Sequence, residues 1–166
     1  MIVVSDTTPL ISLMKTGHLD ILQSYFGEIQ IPKAVFAELT SNPRFAEEAE
    51  QIRHCSFINV VTVDDAKSVV LIRRATGLDL GESEAIVLSD SLHADLLLMD
   101  EAKGREVAEQ MGIKIMGTIG LLLASYQAGI LTANEIKDCV EILRNSGRYI
   151  GEKYLQILLE RIDNNG

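Results

Sequence analysis

The chain has 166 residues, of which 47% are apolar and 23% charged, values typical of one globular domain. Its 24 acidic and 15 basic residues give a net charge of −9, which disfavours a general affinity for nucleic acid, because phosphate binding is normally led by Lys and Arg. The acidity is then either spread over a solvated surface or concentrated where cations neutralise it. No apolar run reaches the roughly 18 residues that cross a bilayer, and no basic stretch precedes the first one, so we expect a cytoplasmic protein without a secretory signal.

Short apolar runs alternate along the chain with amphipathic stretches of helical length. The runs predicted to be strands are, in chain order, MIVVS, EIQIP, FINVVTV, DLLLM and IKIMG. FINVVTV fits either a strand or an extended approach to the next helix. Strands that alternate with helices of roughly 10 to 15 residues indicate a parallel sheet covered on both faces. The predicted fold class is therefore α/β, a three-layer α/β/α sandwich with a central parallel sheet of about four to five strands.

The helices are predicted over TPLISLMKTG, LDILQSYFG, KAVFAELT, PRFAEEAEQIRHC, DDAKSVVLIRRATG, GESEAIVLSDSLH, EAKGREVAEQMG, TIGLLLASYQAG, TANEIKDCVEILRNSG and YIGEKYLQILLERI. Pro32 stands just before the third of these helices, and Gly77 ends the fifth. We expect residues 1–130 to form the main domain and residues 131–166 a helical extension packed on the same domain. Cys55 and Cys139 lack metal-type spacing and are predicted to be reduced thiols.

Two aspartates directly follow predicted strands, Asp6 after MIVVS and Asp100 after DLLLM. The carboxyl ends of parallel strands meet at one edge of a sheet, where ligands usually bind, so both side chains are expected there. Helix capping is the structural alternative. For the first helix Thr8 is a better cap, with Pro9 at the first helical position, which leaves Asp6 for a functional role. For Asp100 both roles stay open.

Two glutamates are predicted on the apolar sides of their helices. Glu84 shares an arc with Leu88, and Glu38 projects beside Val35. A carboxylate on a buried stripe is costly unless it is paired with Lys or Arg, protonated or bound to a cation, so a salt bridge and a cation site both stay open. Glu82 lies in a first helical turn, where an acid also favours the helix dipole.

These carboxylates come from separated parts of the chain, without a histidine or cysteine cluster. Such an oxygen-only set suits a hard cation, and Mg²⁺ or Mn²⁺ fits best. Ca²⁺ would be expected with a local loop of ligands, which the sequence lacks. A cation at a strand edge activates water and stabilises the charge that develops on a phosphodiester. The pattern therefore favours nuclease chemistry without a nucleophilic side chain.

Several segments together resemble a known family. SDTTPLI, VFAEL, GLDLGESEAIVLS and LLLMDEAKGREVAEQMGIKIMGTIGLLL are similar to the VapC-like PIN domain family, and in particular to a prokaryotic PIN-like subgroup of unknown function. The likeness runs from residue 1 to about residue 130. It implies an α/β/α sandwich similar to 5′-nucleases, in which carboxylates gather Mg²⁺ or Mn²⁺ to hydrolyse RNA or DNA.

The resemblance also implies site residues by position. The catalytic acids are expected to be Asp6, Glu38, Glu84 and Asp100, with Glu84 standing where typical members have an aspartate. The metal is expected on Asp6, Asp100 and either or both of Glu84 and Glu82. Thr118 matches a region that can present a hydroxyl to the site, although an N-cap of the following helix is the role we expect.

The implied activity is an Mg²⁺- or Mn²⁺-dependent endoribonuclease acting on single-stranded RNA. Because many members are toxins held silent by an antitoxin, and many are homodimers, an antitoxin protein and a second copy are expected partners. Lys15, Lys103 and Arg105 lie near the predicted edge in sequence and could contact phosphates, whereas Arg105 equally fits a pairing with a glutamate.

Two other hypotheses compete with the nuclease. A non-catalytic PIN-like module would keep the fold and bind RNA or a protein without turnover. Phosphatases of the haloacid dehalogenase type and receiver-like proteins also place an aspartate after the first strand. SDTTPL lacks the second aspartate two residues on that those phosphatases have, and the paired upstream acids of receivers are missing.

Overall fold

The computed structural model describes residues 1–147 and 150–165, the last of these by its backbone alone. Within these ranges the strands are β1 Val3–Ser5, β2 Ile29–Pro32, β3 Ile58–Val61, β4 Leu96–Leu98 and β5 Ile115–Met116. The helices are α1 Thr7–Lys15, α2 Ile21–Phe26, α3 Lys33–Ser41, α4 Ala46–Arg53, α5 Ala66–Thr76, α6 Leu80–Ser91, α7 Ala102–Gln110, α8 Thr118–Gln127, α9 Ala133–Asn145 and α10 Glu152–Asn165. Among the described helices, none is both long and apolar enough to cross a membrane.

The predicted elements are present; one open alternative is decided, one helix is divided, and one predicted helix start cannot be compared. The stretch FINVVTV does contain a strand, because β3 pairs with β2 along its whole length. The helix predicted from Pro43 is divided into a 3₁₀ helix, Pro43–Phe45, and α4, and the Asn42 side chain caps the first piece by accepting from the Arg44 N–H. The start predicted for the last helix, Tyr149, lies outside the described residues.

The sheet is parallel throughout, with the strand order β3-β2-β1-β4-β5. β2 and β3 therefore lie on one side of β1, and β4 and β5 on the other. In such sheets a crevice opens at the carboxyl ends of the strands where the order reverses, which here is between β1 and β4. Ser5 is in register with Leu98, and the Asp6 N–H donates to the Leu98 carbonyl at 2.9 Å. The residues that follow β1 and β4 thus leave the sheet side by side.

Side chains alternate between the two faces of the strands, which separates two apolar cores. Val3 and Leu98 belong to the first core, which α1–α4 and α8–α10 cover. Val4 and Leu97 belong to the second, beneath α6 and α7, with α5 at its flank. Helices on both faces of one parallel sheet make a three-layer α/β/α sandwich, and the predicted fold class is confirmed.

The C-terminal helices α9 and α10 contribute to the first core. Their buried side chains contact the same cluster as those of α1 and are Ile136, Cys139, Val140, Leu143, Leu155, Leu158 and Ile162. Cys139 and Cys55 are both free thiols, and burial raises the pKa of the Cys139 thiol to about 11. These side chains thus belong to the same apolar cluster as Val3 and Leu98 of the sheet.

Candidate functional site

Asp6 occupies the N-cap position of α1, directly after β1, with an extended backbone at φ −81° and ψ 176°. The prediction that Thr8 caps this helix is wrong, because α1 already begins at Thr7. The Asp6 side chain makes no capping hydrogen bond, and the residue is only 4% exposed. The strand places this carboxylate at the edge of the sheet and gives it no helix-capping role.

The protonation of Asp6 is strongly perturbed. Burial is the main reason why the pKa of its carboxyl is raised to about 8; the negative charges of Glu82, Asp79 and Glu38 act in the same direction, and the Thr7 N–H opposes them. Within the described ranges no Lys, Arg or His forms an ion pair with Asp6. A buried carboxylate among like charges favours either a proton or a bound cation.

Glu38, on α3, is exposed to solvent, and its charge acts on Asp6. The Thr7 hydroxyl donates to Glu38 Oε2 at 2.8 Å. A β-carbon at Gly81 would lie 3.4 Å from Glu38 Oε2 and 3.6 Å from Asp79 Oδ1, so both carboxylates lie beside the first turn of α6. The predicted burial of Glu38 is wrong, because α3 packs inward through Val35 while Glu38 is exposed.

Asp79 and Glu82 form a capping box at the start of α6. The Glu82 N–H donates to Asp79 Oδ1 at 2.8 Å, and the Asp79 N–H donates to Glu82 Oε2 at 3.0 Å. Burial raises the pKa of Glu82, the Asp79 N–H lowers it, and the charges of Asp79, Glu101 and Glu38 raise it again. Glu82 therefore stabilises its helix and also faces the acids around Asp6.

Glu84 is partly buried and its carboxylate points toward the start of α3. Its Oε2 accepts a hydrogen bond of 2.8 Å from the Ala34 N–H. Neither Glu84 nor Glu38 forms a salt bridge within the part of the chain that the structure describes. The bond to Ala34 is what compensates the partial burial of Glu84.

Asp100 follows β4 and is held by Thr118. The Thr118 N–H donates to Asp100 Oδ1 at 2.7 Å, and its hydroxyl donates to Oδ2 at 2.6 Å. Burial raises the pKa of Asp100, while both Thr118 bonds and the Arg105 charge lower it. Asp100 is not a helix cap, because Glu101 caps α7 by accepting from the Gly104 N–H at 2.6 Å. The predicted N-cap role of Thr118 is also wrong, since Gly117 has that position.

Gly117 allows a close approach of charged groups to the end of β5. A β-carbon there would lie 2.6 Å from Arg105 Nη1 and 2.8 Å from Asp100 Oδ1. Arg105 also donates from Nη1 to the Met99 carbonyl at 3.1 Å. The Arg105 guanidinium thus lies beside Asp100, at the end of the sheet where Asp6 is found.

The structure places Asp6, Glu38 and Glu82 within electrostatic range of one another, together with two acids that the sequence analysis did not single out, Asp79 and Glu101. The Asp-x-x-Glu spacing of a capping box was the signal that could have identified Asp79. We call these five residues the acidic cluster. Among the described residues, no three Asp, Glu, His or Cys side chains are close enough together to hold a metal ion as they stand.

A family model described as a PIN domain, DUF3368, matches residues 2–164. This chain belongs to the PIN-domain family. The match includes the C-terminal helices as well as the sheet. PIN domains are generally metal-dependent nucleases, which supports, at a coarse level, a hydrolase that acts on nucleic acid with a divalent metal. No curated protein matches the chain.

The donor chemistry of this PIN domain fits a divalent metal. Mg²⁺ prefers oxygen ligands and keeps several waters, so one or two carboxylates plus substrate phosphates commonly suffice. The buried Asp6, with like charges and no cationic partner around it in the described chain, is a carboxylate that a cation would stabilise. A preformed set of three side chains is not required for such an ion.

Proposed function

We propose that this PIN domain is an Mg²⁺- or Mn²⁺-dependent endoribonuclease that hydrolyses phosphodiester bonds of single-stranded RNA. The observation that carries the proposal is the Asp6 carboxylate, which is 4% exposed and lies among negative charges at the end of β1. A bound cation would offset both its desolvation and the repulsion from its neighbours. The position also corresponds to the crevice between β1 and β4.

In this proposal Asp6 is the central metal ligand, and Asp100 with Glu82 or Glu84 supplies the remaining protein oxygens. Asp100 and Glu84 already accept hydrogen bonds, which orient their side chains. Because a carboxylate has about four lone-pair sites, each still has lone pairs available for a metal ion. When bound, the metal supplies an activated water and stabilises developing negative charge.

Glu38 has a different proposed role, because it is exposed at the edge of the cluster. Thr7 fixes its Oε2, which keeps the carboxylate beside Asp79. A solvent-facing carboxylate held in this way is suited to accept a proton from the water that attacks the phosphodiester. Glu38 thus completes the proposed catalytic set of Asp6, Glu38, Glu84 and Asp100.

The test uses the purified chain, Mn²⁺ and a labelled single-stranded RNA. Asp6→Asn should abolish cleavage, whereas Asp90→Asn, an exposed control on α6, should cut like the wild type. Calorimetric titration should give heat of Mn²⁺ binding for the wild type and the control but not for Asp6→Asn. Equal cutting by Asp6→Asn would indicate a contaminating nuclease and contradict the proposal.

We further propose, from the family's known members, that the physiological role is the toxin of a toxin–antitoxin pair, acting as a homodimer. Induced expression should then arrest bacterial growth, and Asp6→Asn should not. Growth unaffected by an actively cutting protein would argue against the toxin role and leave the nuclease in place.

One observation favours the second candidate, a non-catalytic module that binds RNA or a protein. No three acids in the described chain converge to hold a metal, and Glu84 and Asp100 both have hydrogen-bonding partners. RNA binding in a gel shift, without cleavage in Mg²⁺ or Mn²⁺, would support this candidate over the nuclease.

A further inference from the structure

Three cationic residues stand at or beside the junction between α5 and α6. Arg73 and Arg74 are in the last turn of α5, and Lys103 is in the first turn of α7; all three are exposed. The Gly77 N–H donates to the Arg73 carbonyl at 2.9 Å, and a β-carbon at Gly77 would lie 3.9 Å from Lys103 Nζ. We call Arg73, Arg74 and Lys103 the junction cations.

The junction cations are close in sequence to two acids of the acidic cluster. Asp79 follows Gly77 by two residues, and Glu101 precedes Lys103 by two. Asp79 and Glu101 both act electrostatically on Glu82, so the two chain segments that carry the cations also supply acids to the cluster. A polyanion bound at the cluster would therefore pass beside these cations.

No other role in the described structure accounts for all three. Across residues 1–147 and 150–165, none of them forms an ion pair, whereas Lys15 pairs with Glu48 at 2.6 Å. The carbonyl end of α5 favours Arg73 and Arg74, but the first turn of α7 disfavours a cation such as Lys103. Lys103 thus has a position that the helix itself does not explain.

We propose that Arg73, Arg74 and Lys103 bind phosphates of the RNA strand on the side of the cleavage site that lies over the α5–α6 junction. This inference rests on the proposed function. A chain with a net charge of −9 repels a polyanion, so basic side chains near the site would add to the attraction that a bound metal ion exerts on phosphates. Guanidinium groups also match phosphate geometry with two parallel hydrogen bonds. An acidic protein partner would also meet these cations, but it has no need to approach the acidic cluster.

The experiment measures binding of labelled single-stranded RNA to the full chain at several salt concentrations, in an Asp6→Asn background that does not cut. The test variant carries Arg73→Gln, Arg74→Gln and Lys103→Gln. The control carries Lys114→Gln, Lys153→Gln and Arg161→Gln, which removes the same charge from exposed positions before β5 and on α10. Each lost phosphate contact should reduce the salt slope by about 0.7, hence by about 2 for the test variant.

We expect the test variant to bind RNA at least about tenfold more weakly at low salt, with the control within about twofold of the parent. Lys103→Gln alone should lower the slope by about 0.7, which keeps the inference testable if the triple variant folds poorly. Cleavage by the wild type, together with equal RNA binding by test and control variants, would overturn this inference and leave the nuclease standing. If the wild type neither binds nor cuts the RNA, this inference and the proposed nuclease function are both overturned.

Discussion

The Glu84 carboxylate on α6 accepts a 2.8 Å hydrogen bond from the backbone N–H of Ala34, at the start of α3. The N-cap position of α3 is held by Pro32, whose side chain cannot accept a hydrogen bond. Glu84 therefore supplies, from another helix, the acceptor that the first turn of α3 lacks. A residue proposed for the catalytic site is also part of the contact between two helices.

Replacing Glu84 should separate these two roles. Glu84→Ala should lower the free energy of unfolding by about 1 kcal/mol, because the Ala34 N–H loses its partner, and Glu84→Gln should lose less since its amide oxygen still accepts. Urea unfolding measures both, with the exposed Glu106→Ala on α7 as the control. Mn²⁺ titration of Glu84→Gln then reports on the ligand role, which weakened binding would support. Wild-type stability in Glu84→Ala would contradict the capping role.

Divalent metal should stabilise the folded protein through Asp6. A ligand that binds only the native state, at about 100 times its Kd, adds about 2.7 kcal/mol to the free energy of unfolding. Mn²⁺ should therefore raise the Tm of the wild type and of Asp90→Asn, and EDTA should reverse the shift. Asp6→Asn should show no shift. An equal rise in the Tm of Asp6→Asn would show that the ion binds at a different site.

The raised pKa of Asp6 predicts how stability depends on pH in the absence of metal. Its ordinary pKa of 3.8 becomes about 8 in the folded state, so between these values the native protein holds a proton that the unfolded chain releases. Its contribution to stability is complete below about pH 4 and is lost as the pH rises toward about pH 8.

Asp6→Asn should remove this contribution. At pH 8 without metal the variant should be more stable than the wild type, by an amount on the order of a few kcal/mol. Urea unfolding from pH 5 to pH 8 compares the two proteins, again beside Asp90→Asn. Parallel pH profiles for wild type and Asp6→Asn would mean that Asp6 is ionised in the native state.

Gly117 gives a way to disturb Asp100 without changing an acid. In Gly117→Ala the new β-carbon would lie under 3 Å from Asp100 Oδ1 and Arg105 Nη1, so these side chains must shift, and we expect the bond from the Thr118 N–H to Asp100 Oδ1 to be disturbed. Overpacking of this kind costs about 1–3 kcal/mol, and we expect cleavage to fall with it.

Thr118 provides the matched comparison for this prediction. Thr118→Val removes only the hydroxyl bond to Asp100 and should lower cleavage too, while Thr118→Ser keeps both bonds and should retain it. Initial rates of RNA cleavage with Mn²⁺ distinguish the variants. Full activity in both Gly117→Ala and Thr118→Val would show that the placement of Asp100 is unimportant.

The sheet and the two aspartates at its edge followed from the sequence for a simple reason. Apolar runs that alternate with amphipathic stretches leave few topologies, and parallel strands point their carboxyl ends the same way. Asp6 and Asp100 therefore lie at the same edge whatever the details of helix packing. To place these two side chains it is enough to know where each strand ends, and the end of an apolar run in the sequence shows this.

Helix caps could not be assigned to the correct residue. The N-cap positions fell on Asp6, Glu101 and Gly117, each one or two residues away from the caps we predicted or weighed. Neighbouring Ser, Thr, Asp and Asn residues are nearly equivalent as caps, so local chemistry does not choose among them. The length of the preceding strand and the turn that leaves it decide the position.

Contacts between distant segments of the chain could not be predicted from the sequence either. The bond from Ala34 to Glu84 depends on how α3 packs against α6, and helical periodicity gives the facing direction of a side chain without its partner. The same limit applies to Glu38, which lies beside buried residues in the helical pattern and yet faces solvent.

The last two helices have a practical consequence for expression of this protein. α9 packs against α1 and α8, and α10 packs against α8 and α9, with Leu143 and Leu158 buried in the first core. Asp6 stands at the start of α1. A shortened version ending near residue 130 would keep every proposed metal ligand but would expose the apolar surface that α9 and α10 cover. We expect it to accumulate in inclusion bodies, so trimming the tail would yield insoluble material instead of a minimal nuclease.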